Sequence, residues 1–127
     1  MFTGCSATCP IQGAIFADVQ ALLTPQDTRQ GLRLLSISID PLGDDLPALT
    51  GWLRRFGARP SQWLAALPSP RDVDPLLDLL RGRASGVDRH TAQAFLFDRQ
   101  GRLALRSPDL PPAAEVARLM RELAAAG

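Results

Sequence analysis

AQAFLFDRQGRLALRS, residues 92–107, decides the fold. Its two apolar runs flank Asp98-Arg99-Gln100-Gly101, a compact hairpin signal in which Gly101 supplies the positive φ. In the second run Leu103 and Leu105 alternate with Arg102 and Arg106, which predicts a strand with one wet face. PPAAEVARLMRELAAAG (111–127) follows, with prolines at its start, Val116, Leu119, Met120 and Leu123 at helical spacing, and a closing Gly. It reads as an amphipathic terminal helix, so the chain ends strand, strand, helix.

Working back from that ending, helices and strands alternate. Ile11, Ala14, Ile15, Val19, Leu22 and Leu23 give a helical stripe after Pro10, with Cys9 as its N-cap. TPQDTRQG (24–31) reads as a turn, and LRLLSISID (32–40) as a buried strand. Leu46, Leu49, Trp52, Leu53 and Phe56 form a second stripe closed by Gly57. QWLAAL (62–67) is a short strand, DVDPLLDLLRGR (72–83) a short helix with Pro75 in its first turn, and ASGVDRH (84–90) a polar loop. Alternation followed by a strand-strand-helix ending predicts an α/β sandwich with a mixed sheet, parallel at its centre and antiparallel at one edge. A βα unit normally begins with a buried strand. Only Met1, Phe2 and Thr3 precede the cysteine loop, so that first strand is expected to be missing or incomplete.

The totals set limits. At 127 residues the chain is expected to form a single domain, residues 1–127, with one core. The net charge is +1 with both signs interspersed, so no nucleic-acid or anionic-membrane partner is expected. Every basic side chain is Arg, and Asn is absent, which excludes Schiff-base or P-loop lysine chemistry and N-glycosylation. No apolar run is long enough to span a bilayer, and the first residues do not read as a charged segment followed by an apolar one.

Chemistry concentrates in FTGCSATCP (2–10), which holds both cysteines. Residues four apart at a helix start have Cα atoms roughly 6 Å apart, a spacing that suits a disulfide or two thiolates converging on one metal ion. The helix N-terminus favours thiolate. Three readings stay open at this point: a redox pair, a metal clip, or a structural pair. The one histidine, His90, lies in the loop before the hairpin, which the topology brings beside the first helix's N-terminus. Cys5, Cys9 and His90 together form a soft, three-coordinate set that suits Cu(I), whereas structural zinc asks for a fourth ligand.

FTGCSATCP, then SISIDP (36–41) with Asp44 after it, then RRFG (54–57), then His90 with FLFDRQG (95–101), resemble in order and spacing the Sco/SenC family of copper chaperones. The resemblance covers nearly the whole chain. It implies a thioredoxin-like fold, copper as the cofactor (Cu(I), with Cu(II) open), Cys5, Cys9 and His90 as the copper ligands, and a role in assembling the dinuclear copper site of cytochrome oxidase. The implied partner is the oxidase subunit carrying that site, or another copper-receiving protein. The implied location is the periplasm, facing it from a membrane anchor that would lie in a missing N-terminal region. This sequence departs from the family pattern in having Ser6, Ala7 and Thr8 between the cysteines and Arg89, not Asp, before the histidine, with Asp88 one place further away. A late-started reading of a longer, exported protein is expected, and with it poor solubility or dimerisation.

Two functions of other classes compete with copper delivery. In one, Cys5 and Cys9 are the catalytic redox pair of a thiol/disulfide oxidoreductase that reduces a partner's metal-binding cysteines. In the other, metal or disulfide state switches a regulatory surface. Asp40 and Asp44 are expected to cap the next helix or bind loop backbone. Phe2 and Trp63 are expected in the core, and Trp52 either there or on a docking surface.

Overall fold

The computed structural model of the protein describes residues 1–5, 8–85 and 89–126. Ser6, Ala7 and Asp88, which belong to the expected site loops, lie outside the described residues. The elements in chain order are α1 (Thr8–Leu22), α2 (Pro25–Arg29), β1 (Leu34–Ile37), α3 (Leu46–Arg55), β2 (Trp63–Ala66), α4 (Pro70–Leu80), β3 (Phe95–Phe97), β4 (Leu103–Arg106) and α5 (Ala113–Ala126).

Local chemistry explains where these elements begin. α1 starts at Thr8, so Cys9 lies inside its first turn and is not the N-cap. Pro10 is tolerated there because the first helical N–H groups have no intrahelical acceptor. TPQDTRQG is not a plain turn: Thr24 and Asp27 make a reciprocal capping box that starts α2. α3 is capped by Asp45, whose side chain accepts from the Ala48 N–H at 2.8 Å, so neither Asp40 nor Asp44 is the cap. α4 begins at Pro70, which puts Pro75 inside the helix instead of in its first turn. The Arg71 carbonyl that Pro75 cannot satisfy sits on an exposed residue, where water is an adequate partner.

The core gathers around Trp63, which is fully buried on β2. Its indole N–H donates to Ser36 Oγ on β1 at 3.0 Å. Phe16 of α1 and Trp52 of α3 meet it edge-on, with ring centroids 5.7 and 5.8 Å away. Trp52 is therefore a core residue and not part of a docking surface. Gly13 lets Phe56 approach α1, since a Cβ at that position would lie 2.5 Å from the Phe56 ring. α5 packs against α1 through a face that buries Val116 and Ala117.

The fold is mixed α/β, with parallel and antiparallel pairing as expected, but among the described residues the strands form two separate pairs and not one sheet. β1 and β2 run parallel with Leu34 opposite Trp63 and Ile37 opposite Ala66. β3 and β4 are antiparallel, with a register shift between Leu96 and Phe97. That irregularity breaks the expected alternation in β4, where Leu105 is 38% exposed. Between the pairs lies a cavity of about 480 Å³, lined by β1, β3 and apolar side chains of α4 and α5 such as Leu80, Val116 and Met120. Met1 is seated at one end of β1's open edge: its amine donates to the Ile37 carbonyl at 3.2 Å, and the Ile39 N–H donates to the Met1 carbonyl at 2.8 Å. These two bonds are those of a parallel ladder. Met1 thus pairs with the C-terminal end of β1, and the chain turns at Thr3 into the cysteine loop.

Candidate metal centre

Cys5, Cys9 and His90 come together at the N-terminal end of α1. One ligand atom from each lies within 4.8 Å of the others, and all three residues are buried. Cys5 and Cys9 are disulfide-bonded, with Cα atoms 5.7 Å apart. That separation lies within the range a disulfide tolerates.

The two sulfurs have different surroundings. Cys9 is wholly buried, and its Sγ lies 3.1 Å from His90 Nε2. Cys5 lies just before α1, and its Sγ accepts from the Cys9 N–H at 3.3 Å. A first-turn N–H is therefore directed at Cys5, while Cys9 itself lies in the first turn. On reduction, charge on the Cys5 sulfur has a donor in place. The Cys9 sulfur faces His90 Nε2 instead.

His90 is held by its other nitrogen. Nδ1 is 2.7 Å from the Thr91 carbonyl, which can only accept, so Nδ1 carries a proton and Nε2 is the nitrogen directed at Cys9. Metal-binding histidines are usually oriented by such a second hydrogen bond. An antiparallel bridge from His90 to Arg83 and the Thr91 N–H donating to the Gly82 carbonyl at 2.7 Å fix the loop that carries it.

Of two neighbours, Arg89 was marked in the sequence as the residue before the histidine, and Phe2 was not evident as a site residue. Phe2 is half-buried and is not a core residue in the expected sense: its ring lies edge-on to His90, centroids 6.1 Å apart. Arg89, which takes a positive φ of 62°, lays its guanidinium over that ring, 4.9 Å from its centroid. The cation that replaces the family's acid before the histidine is thus directed onto Phe2. Asp44 also belongs to the surroundings, since it binds Thr3, two residues before Cys5. Asp40 contributes main chain only, its carbonyl accepting from Gly43 and Asp44.

Two thiolates and one imidazole, shielded from water and oriented before any ion arrives, can hold a soft monovalent metal, and the same two sulfurs can exchange electrons as a disulfide pair. An α/β chain that places CxxxC at a helix start and a histidine from the loop before its hairpin is a thioredoxin-like protein with a thiol-imidazole site. More narrowly, the chain belongs to the SCO1/SenC family, whose model matches residues 1–125. Its structure is similar to the crystal structure of a SCO1/SenC family lipoprotein from Bacillus anthracis str. Ames, with TM-score 0.78 and 23% identity over 98% of this chain and 77% of that one. It is also similar to the solution structures of apo Sco1 protein from Thermus thermophilus, with TM-score 0.71 and 22% identity over 96% of this chain and 74% of that one. At these identities the two structures speak to the fold. No curated protein sequence matches the chain. Family membership supports a Sco-type copper-binding role in general terms. Among the described residues no helix is long and apolar enough to cross a membrane.

Proposed function

We propose that this protein is a copper metallochaperone of the Sco type, which takes Cu(I) on Cys5, Cys9 and His90 and passes it to the subunit that carries the dinuclear copper site of cytochrome c oxidase. The observation that carries this reading is the convergence of exactly the soft donors the ion prefers: two sulfurs and Nε2 within 4.8 Å, in a buried pocket. Copper is cargo here, not a resident cofactor. A thiol reductant first supplies two electrons and two protons to the Cys5–Cys9 bond. As Cu(I) binds, both thiols lose their protons, and the Nε2 lone pair completes the set. A partner's cysteine thiolates then displace these ligands one at a time, and the metal stays monovalent throughout. The 127 residues act as one domain of a membrane-associated protein facing the periplasm.

Anaerobic titration of the reduced protein with Cu(I) against a competing chelator tests the proposal. One tight equivalent is expected, weakened at least about tenfold in His90→Ala, on the scale by which orienting groups alone tune a site. Tight binding untouched by the substitution removes His90 from the site.

A second reading has its own support in the Cys5–Cys9 disulfide. As a thiol/disulfide oxidoreductase the dithiol form would give two electrons and two protons to a partner's disulfide and itself close to the disulfide. Cys5, whose sulfur receives the helix N–H, would be the attacking thiolate. Efficient reductase activity with no tight copper binding would favour this reading.

A further inference from the structure

Asp44 is a buried carboxylate outside the donor set, 6% exposed, and it binds the segment that leads into Cys5. Both of its oxygens lie 3.2 Å from the Thr3 N–H. The Thr3 hydroxyl donates to Oδ1, and Ser38 Oγ donates to Oδ2 at 2.7 Å. Ser38 is itself wholly buried, at the end of β1, and its Oγ accepts from the Asp40 N–H at 3.1 Å. A buried carboxylate is tolerated only when its oxygens are filled, and these bonds to a charged acceptor are stronger than neutral ones. The helix that follows does not need Asp44, because Asp45 caps it. What Asp44 holds is Thr3.

From Thr3 the effect reaches the sulfur in one turn. The Cys5 N–H donates to the Phe2 carbonyl at 3.1 Å, closing residues 2–5 into a turn fixed on one side by Asp44. On the other side Phe2 packs against His90. While the disulfide is closed, the S–S bond itself keeps Cys5 beside Cys9. Once it is reduced, the position of Cys5 depends on this turn and on the Cys9 N–H directed at its sulfur.

We propose that Asp44 is the positioning residue of the cysteine pair: through Thr3 it keeps the Cys5 thiol against Cys9 in the reduced protein and so sets the pair's reduction potential. The inference deepens the reading of the site given above. Its readout needs no copper, so either can fail alone.

The full chain is equilibrated with glutathione and glutathione disulfide. In that exchange the Cys5–Cys9 bond breaks, two glutathione thiols become one glutathione disulfide, and two protons end on the protein sulfurs. Loosening the turn lowers the effective concentration of one thiol at the other. Asp44→Asn is therefore expected to make disulfide closure about tenfold less favourable, raising the potential by about 30 mV. Thr3→Ser keeps both donors and should stay within about twofold of wild type. Val116→Ala, a core change on α5 away from the site, should lower stability and leave the potential unchanged. Should Asp44→Asn not fold, Thr3→Val removes only the hydroxyl donor and is expected to shift the equilibrium about threefold in the same direction. An Asp44 or Thr3 variant that loses stability but keeps the wild-type potential, as the Val116 control does, overturns the proposal. A shifted potential in a protein that binds no Cu(I) overturns only the copper reading.

Discussion

Replacing Asp27 by Asn should weaken the fold by about 1–2 kcal/mol at pH 7 and by almost nothing near pH 2. Asp27 sits where α1, α2 and α5 meet. It accepts from Arg121 Nη2 at 3.0 Å and from the Thr24 N–H at 2.8 Å, and its side chain is 9% exposed. Arg121 also donates to the Leu22 carbonyl at 2.8 Å, so one guanidinium ties the C-terminal helix to the ends of the other two. The Arg121 hydrogen bond above all, then the Thr24 N–H, lowers the Asp27 pKa from 3.8 to about 2. At about 1.4 kcal/mol per unit this is roughly 2 kcal/mol, reduced toward 1 because Arg121 is half-exposed and water screens the pair. The sign follows from the depression. The unfolded chain takes up the proton first as pH falls, so the contribution is complete above about pH 4 and disappears as pH drops through about 2. Urea unfolding of both proteins between pH 7 and pH 2 should give curves that converge on acidification. A gap that stays constant with pH, or no gap at pH 7, would refute the reasoning.

Three further outcomes are expected. Gly13→Ala should destabilise the protein by about 1 kcal/mol although Ala gains about 1 kcal/mol in helix propensity, because the new Cβ meets the Phe56 ring; thermal unfolding showing a more stable variant would contradict this. Trp63→Phe leaves a gap in the core and Ser36 Oγ without its donor, and should lose about 2–4 kcal/mol in urea unfolding; a loss under 1 kcal/mol would mean that the aromatic cluster repacks freely. Thr24→Ala removes half of the α2 capping box and should cost about 1 kcal/mol, read as a lower urea midpoint with unchanged slope.

The sequence made the site more legible than the sheet. His90 could be placed beside the cysteine loop because a strand-strand-helix ending leaves few ways for the preceding loop to run; its Nε2 lies 3.1 Å from the Cys9 sulfur. α5, with strong periodicity, emerged close to its expected bounds, whereas β1, expected over 32–40, spans only Leu34–Ile37. Single polar residues were harder. Asp40, Asp44 and Asp45 are chemically alike, and which of them caps α3 depends on where the backbone turns, not on composition. Asp44 found a use in a segment 41 residues away, which no local pattern encodes. TPQD was misread because proline and polar residues mark turns and helix starts alike, and the Thr24–Asp27 spacing was the available signal. Phe2 looked like a core residue because it is large and apolar, but it lies against two loop residues, His90 and Arg89, brought to it by tertiary contacts alone. The division of the strands into two pairs follows from long-range pairing, which apolar runs do not specify.

X-ray absorption at the copper edge of the reduced, Cu(I)-loaded protein tests the central claim most directly. Cys5, Cys9 and His90 as ligands predict a three-coordinate monovalent ion with two sulfur scatterers and one nitrogen, the nitrogen vanishing in His90→Ala. A sulfur-only first shell in the wild-type protein would contradict the account.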